Sequence, residues 1–143
     1  GKTQYPKDLT AIMVAHHIPY VAQTSCSHWR DLTDKVIKAL NTDGPTFINI
    51  LSSCHRGWRF DVEKSVELNR LAVETCFWPL FEVVNGEWKL TYKPREKLPF
   101  LEWIKAQRRF DHLLKDENKH IIEENQRWID ERWEKLLERC GEK

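Results

Sequence analysis

Glycine is scarce in this chain, with five in 143 residues. Neither G-x-G-x-x-G nor G-x-x-x-x-G-K-[ST] occurs, so no glycine-rich loop is expected to cradle a diphosphate with its amides. An excess of one charge is also lacking: 23 Lys and Arg stand against 22 Asp and Glu, a formal net charge of +1. That balance gives no footing for nucleic acid or for an anionic membrane surface. No apolar run approaches the roughly 18 residues of a membrane span. The opening Gly1-Lys2-Thr3-Gln4-Tyr5-Pro6 is polar, and no secretory signal is expected there. Cysteine is limited to Cys26, Cys54, Cys76 and Cys140, widely separated and without a C-x-x-C. A reduced, cytoplasmic protein is the expectation, not a disulfide scaffold.

What the chain does have is a core. Hydrophobic residues make up 41% and aromatic residues 11%, including seven Trp, a globular composition. Charge is uneven. Of 45 charged residues, 24 lie after residue 93, twelve of each sign. The spacing therefore predicts three segments: an α/β unit over 1–78, a β-hairpin over 79–93 and a helical extension over 94–143.

Within the first segment, Leu9, Ile12 and Met13 predict a helix over 7–17, opened by Pro6. Tyr20 to Thr24 reads as a short strand. Leu32, Val36, Ile37 and Leu40 predict a helix over 28–40, stopped by Asn41-Thr42-Asp43-Gly44-Pro45. Thr46 to Leu51 is nearly continuously apolar, the pattern of a strand buried on both faces of a parallel sheet. A third helix is predicted over 61–76, with Asp61 as N-cap. This alternation gives part of a doubly wound parallel α/β sheet. Two strands are too few for a whole one, so further strands are expected upstream.

Asn85-Gly86 is a type I′ turn signal. It predicts that Val84 pairs with Glu87, Val83 with Trp88, Glu82 with Lys89 and Phe81 with Leu90. Two helices are predicted in the tail, over 100–114 and 117–139. Ile121, Ile122, Trp128, Ile129, Trp133, Leu136 and Leu137 form the apolar stripe of the second. Glu123–Arg127 and Glu131–Lys135 are favourably spaced for ion pairs. That helix either covers its own domain or reaches a partner.

In open α/β sheets, ligands bind beyond the carboxyl ends of strands. Two such ends are Ser25-Cys26-Ser27-His28-Trp29 and Ser52-Ser53-Cys54-His55-Arg56-Gly57-Trp58. Arg56 and a protonated His55 would favour a Cys54 thiolate, and Gly57 lets the backbone approach a bulky group. Cys54 is thus the leading candidate for chemistry; the plain alternative is a buried small apolar residue. Cys26, His28, Cys54 and His55 could together hold zinc, although the usual ligand spacing is missing.

Several segments resemble the beta subunit of pyruvate:ferredoxin oxidoreductase, or pyruvate synthase, of the 2-oxoacid:ferredoxin oxidoreductase family. They are Asp8-Leu9-Thr10-Ala11-Ile12-Met13-Val14-Ala15-His16, Ile18-Pro19-Tyr20-Val21-Ala22, Gly44-Pro45-Thr46-Phe47-Ile48 with Leu51-Ser52-Ser53-Cys54, and Leu71-Ala72-Val73-Glu74-Thr75 with Trp78-Pro79-Leu80-Phe81-Glu82. Phe100-Leu101-Glu102, Ala106-Gln107-Arg108-Arg109-Phe110 and Arg132-Trp133 fit the same subunit. The resemblance implies the C-terminal half of a subunit that binds thiamine diphosphate with Mg2+ and holds a [4Fe-4S] cluster. Cys54 matches the fourth cluster cysteine, with Arg56 and Trp58 as candidates for its surroundings. The other three ligands, two of them in a C-x-x-C-G motif, would lie in the N-terminal half, as would the Gly-Asp-Gly diphosphate motif. Ser53 stands where the family often has Pro, and Cys26 and Cys76 stand where it is not expected to have cysteine. The implied reaction is oxidative decarboxylation of pyruvate with coenzyme A to acetyl-CoA and carbon dioxide. Electrons pass to ferredoxin, and the other subunits are partners. The chain alone would be inactive. The alternatives are a non-catalytic assembly module and a self-contained Cys/His zinc domain.

Overall fold

The computed structural model describes residues 5–142. The polar Gly1 to Gln4, and with them the start of the first predicted segment, lie outside the described residues, as does Lys143. Six helices and four strands follow in the order α1 (Leu9–Ala15), β1 (Tyr20–Ser25), α2 (Trp29–Leu40), β2 (Thr46–Leu51), α3 (His55–Trp58), α4 (Ser65–Glu74), β3 (Phe81–Val84), β4 (Glu87–Leu90), α5 (Phe100–Lys105) and α6 (Lys119–Cys140). Short 3-10 turns cover Val62–Lys64, Arg108–Leu114 and Asp116–Asn118. None of the described helices is long and apolar enough to cross a membrane.

The α/β class is as expected, and β1 and β2 pair in parallel. The sheet is mixed, with order β2-β1-β3-β4. The hairpin is part of that sheet, because β3 runs antiparallel to β1 with Val21 opposite Val83. Its register is the predicted one, from Phe81–Leu90 to Val84–Glu87. Both turn residues have positive φ, 49° at Asn85 and 89° at Gly86. That is the type I′ requirement the dipeptide satisfies.

Period-2 alternation divides β1 between two layers. Tyr20 and Thr24 face α2, where their hydroxyls donate to Glu82 (3.0 Å) and Asp31 (2.6 Å). Val21 and Gln23 face the other layer. There Val21 joins Leu68, Ala72, Phe81, Val83, Trp103, Ile104, Ile129 and Trp133 in the main core. Gln23 accepts from the buried Thr10 hydroxyl of α1 at 2.7 Å. Ile129, Trp133, Leu136 and Leu137 are the buried residues of α6, spaced as one helical face. So α6 covers its own domain. Arg132 bonds Asp8, the N-cap of α1, at 2.6 Å, and Tyr5 stacks on Trp128 at 5.0 Å.

Five expectations change. β2 is not buried on both faces: Thr46 and Ile50 are exposed, the other four residues are half-buried, and it is a sheet edge. Phe47 and Leu51 pack against the main core and α1 and α2 touch the strand, but Ile50 at this edge stays open among the described residues. Asp61 makes no side-chain cap; a 3-10 turn intervenes before α4. The helix predicted over 100–114 stops after Lys105. At Gln107 the backbone is extended (φ −136°, ψ 114°), and its buried amide donates to the Trp103 carbonyl at 2.8 Å, replacing a helical bond with a side-chain one. Neither Glu123–Arg127 nor Glu131–Lys135 closes; α6 instead pairs Arg132 with Asp8 and Asp130 with Lys97. Glu82 likewise pairs with Lys38 (2.7 Å), not with Lys89 across the hairpin.

Candidate functional site

The parallel register places the carboxyl ends of β1 and β2 level, with Ser25 opposite Leu51. Both exposed cysteines lie just past these ends, Cys26 immediately after β1 and Cys54 three residues after β2. The Cys26 amide continues the ladder to the Leu51 carbonyl (3.2 Å). Its thiol donates to the same carbonyl at 3.1 Å and accepts from Asn69 Nδ2 at 3.3 Å. After β2, Ser53 is tied to the Ser65 carbonyl of α4 (3.4 Å). The chain then turns into α3 with Cys54 as its N-cap, in extended backbone (φ −110°, ψ 106°).

That cap fixes the sulfur of Cys54. Its Sγ accepts from the Gly57 amide at 3.4 Å, and its carbonyl accepts from the Trp58 amide at 2.9 Å. A Cβ on Gly57 would stand 3.6 Å from that sulfur, so glycine leaves the space beside the thiol open. His55 and Arg56 are exposed. Neither donates to Sγ; the Gly57 N–H is the one hydrogen bond to it among the described residues. An exposed thiol on a turn ordered by its own helix suits an electron-rich metal ligand.

Trp58 closes the inner side. It is half-buried and meets Trp103 edge-on at 5.8 Å (84°). Trp103 in turn stacks on Phe77 at 4.4 Å. Arg109, which did not stand out in the sequence, lies over the Trp58 ring at 4.2 Å. The Arg108 amide bonds the Arg59 carbonyl at 3.1 Å, holding this segment to the end of α3. Arg59 itself is in the left-handed region (φ 57°), uncommon for a non-glycine residue.

Two buried side-chain atoms have no hydrogen-bond partner among the described residues, Asn69 Oδ1 and Trp103 Nε1. Buried polar atoms are nearly always paired. Asn69 holds Cys26 and Trp103 packs on Trp58, so both orphans belong to residues that back the two strand ends.

The zinc alternative finds no geometry. His28 is turned toward Tyr92 (ring centres 4.6 Å apart) and bonded to Ser27 Oγ at 3.0 Å. Among the described residues no three His, Cys, Asp or Glu side chains converge on a metal position. Cys76 is buried, which pushes its thiol up to about 12. It is a core residue, with no thiolate at neutral pH.

No family model matches the chain. It is similar to the pyruvate synthase subunit PorB of Thermotoga maritima, with 46% identity over 138 residues that cover 96% of this chain and 43% of that protein. PorB of Methanocaldococcus jannaschii is 46% identical over 132 residues, 92% of this chain and 43% of that one. The ketoisovalerate oxidoreductase subunit VorB of Pyrococcus furiosus is 38% identical over 135 residues, 93% and 42% respectively. The chain thus spans under half the length of these relatives.

Proposed function

We propose that this chain, which belongs by sequence to the family of PorB and VorB subunits, is the C-terminal portion of a 2-oxoacid:ferredoxin oxidoreductase subunit in which Cys54 supplies one thiolate to a [4Fe-4S] cluster. The observation that carries this is the position of Cys54: an exposed thiol beyond the carboxyl ends of two paired parallel strands, on a glycine-opened turn. Such clusters take four thiolates. The other three would come from the N-terminal portion of the subunit, which would also hold thiamine diphosphate and Mg2+. When bound, thiamine diphosphate supplies the carbon chemistry and the cluster carries electrons. This chain would fix one ligand, shield the inner face of the site with Trp58, and place the exposed charge of Arg56 at its rim. By itself it would be inactive, and a cytoplasmic location suits the redox chemistry.

The substrate reading is pyruvate, with coenzyme A, ferredoxin and the other subunits as partners. It rests on higher identity to PorB (46%) than to VorB (38%). The N-terminal portion would dock on the open edge of β2. Ile50 on that strand is 45% exposed, and Ile37 and Leu40 on α2 are 52% and 81% exposed. Apolar side chains clustered at an unpaired strand edge are the mark of a covered surface.

The test is to purify the chain anaerobically, alone and joined to its N-terminal portion, and to measure iron, zinc and visible absorbance. Iron with a broad iron–sulfur absorbance in the joined protein only, lost in Cys54→Ser, is expected. Stoichiometric zinc in the chain alone would overturn the reading.

A further inference from the structure

Among the described residues, Arg109 is a half-buried cation without an anion. Its guanidinium carbon lies 4.2 Å from the centre of the Trp58 ring, 4.4 Å from Phe110 and 5.6 Å from Trp103. Its Nε donates to Gln107 Oε1 at 2.8 Å. Gln107 is fully buried and is itself anchored to the Trp103 carbonyl at 2.8 Å. The charge is therefore held in place by aromatic faces and one neutral amide.

No carboxylate pairs with it among the described residues, in contrast to Arg132, which has Asp8. Burial pulls the Arg109 guanidinium down to about 10, so it still carries its charge at neutral pH. Desolvating a charge without a counter-charge is unfavourable. Stacking on rings offsets part of that but does not neutralise it. A cation–π staple between α3 and the segment after α5 uses the charge but supplies no counter-anion for it.

Its location suggests the use. Trp58 follows Cys54 by one turn of the same short helix, and its amide is bonded to the Cys54 carbonyl at 2.9 Å. We propose that Arg109, carried on the Trp58 ring, is the counter-charge to the anionic iron–sulfur group that Cys54 ligates and raises the potential at which that group accepts an electron. This rests on the reading of Cys54 above. Reduction adds one electron and so one unit of negative charge. A fixed cation nearby stabilises the reduced form more than the oxidised one, and an aromatic, poorly solvated setting weakens screening. Arg109 then acts through electrostatics, as a positioning and tuning residue, without ligating iron.

The experiment uses the whole oxidoreductase, purified anaerobically, with Arg109→Gln, Arg109→Met, Arg109→Lys and Cys54→Ser. Iron content, melting temperature and the midpoint potential from an EPR-monitored redox titration are measured. The signal followed is the one that Cys54→Ser alters. Both neutral variants should keep their iron and move the midpoint to more negative potential, by roughly tenfold in the reduction equilibrium, ~59 mV for one electron. Arg109→Lys, which keeps the charge but not the planar stack, should recover most of that shift. A midpoint equal to the parent's in a neutral variant with full iron overturns the proposal, whatever happens to the melting temperature. If Cys54→Ser alters no cluster signal, the reading of Cys54 itself fails. The two failures are thus told apart.

Discussion

Lys35 reaches back one helical turn to Asp31, Nζ to Oδ2 at 2.8 Å, and the same ammonium donates to the Gln23 carbonyl of β1 (2.9 Å) and to Thr91 Oγ1 (2.7 Å). Lys35 is 1% exposed. Removing one partner of such a pair leaves the other buried and uncompensated. We expect Lys35→Ala to lower the free energy of unfolding by roughly 3 kcal/mol, read from urea denaturation at neutral pH. A loss within error of zero would mean that water replaces the ammonium at no cost.

The same pair sets an acid limit. Burial alone pushes the Asp31 carboxyl up, but bonds from Lys35, Thr24 and Thr91 outweigh it and leave the group below its ordinary value of 3.8. As pH falls through that ordinary value, the unfolded chain takes up a proton that the folded chain still refuses. The unfolded state then binds more protons, so stability falls with pH in this window. Above it the contribution is fully present. Asp31→Asn should therefore flatten the acid limb of a stability profile between about pH 5 and pH 2. An unchanged slope would assign acid sensitivity to other groups.

The hairpin turn gives a cleaner backbone test. A Cβ on Gly86 would meet nothing within 4 Å, yet its φ is +89°. Gly86→Ala should cost about 1–2 kcal/mol from conformation alone. Asn85→Gly, at φ 49°, should be nearly neutral. Equal denaturation midpoints for Gly86→Ala and the parent would show that the turn relaxes to another type.

Local signals were legible where local physics decides. Asn85-Gly86 dictated both the turn and the register of Phe81 to Leu90, because few dipeptides accept two positive φ values. The apolar stripe of α6 was readable for the same reason. What escaped depends on side-chain contacts that residue type and spacing alone do not fix. Gln107 breaks a helical pattern because its amide is satisfied by Trp103. Asp61 fails as a cap although its residue type suits one. Glu82 meets Lys38 of α2 in place of its hairpin neighbour. In the site, strand-end position singled out Cys54, whereas Arg109 was one arginine among many in a charged tail. Only the packing of α5 and the following 3-10 turn against α3 sets it on Trp58.

The surface around β2 yields a further expectation. Leu40 is 81% exposed and Ile37 52%, so a charge there should not disturb this chain's own fold. Leu40→Glu is expected to keep the melting temperature of the chain alone. It should weaken association with a separately produced N-terminal portion at least tenfold, since a charge buried in an apolar contact is poorly compensated. Association at parental strength would place the contact elsewhere on the molecule.

Cys26 and Cys54 stand at neighbouring strand ends, and both are exposed, so exposure does not separate their roles. Their hydrogen bonds do. The Cys26 thiol is engaged twice, with the Leu51 carbonyl at 3.1 Å and Asn69 at 3.3 Å. Among the described residues the Cys54 sulfur receives only a long bond from its own helix, at 3.4 Å. A serine at position 26 can make both bonds of the thiol it replaces. Cys26→Ser is therefore expected to retain the iron and absorbance of the joined protein, and Cys54→Ser to lose or alter them. Equal loss in the two variants would make Cys26 a ligand as well. The centre would then sit across both strand ends, and Asn69, freed from the thiol, would become the residue to test for a bond to the cluster.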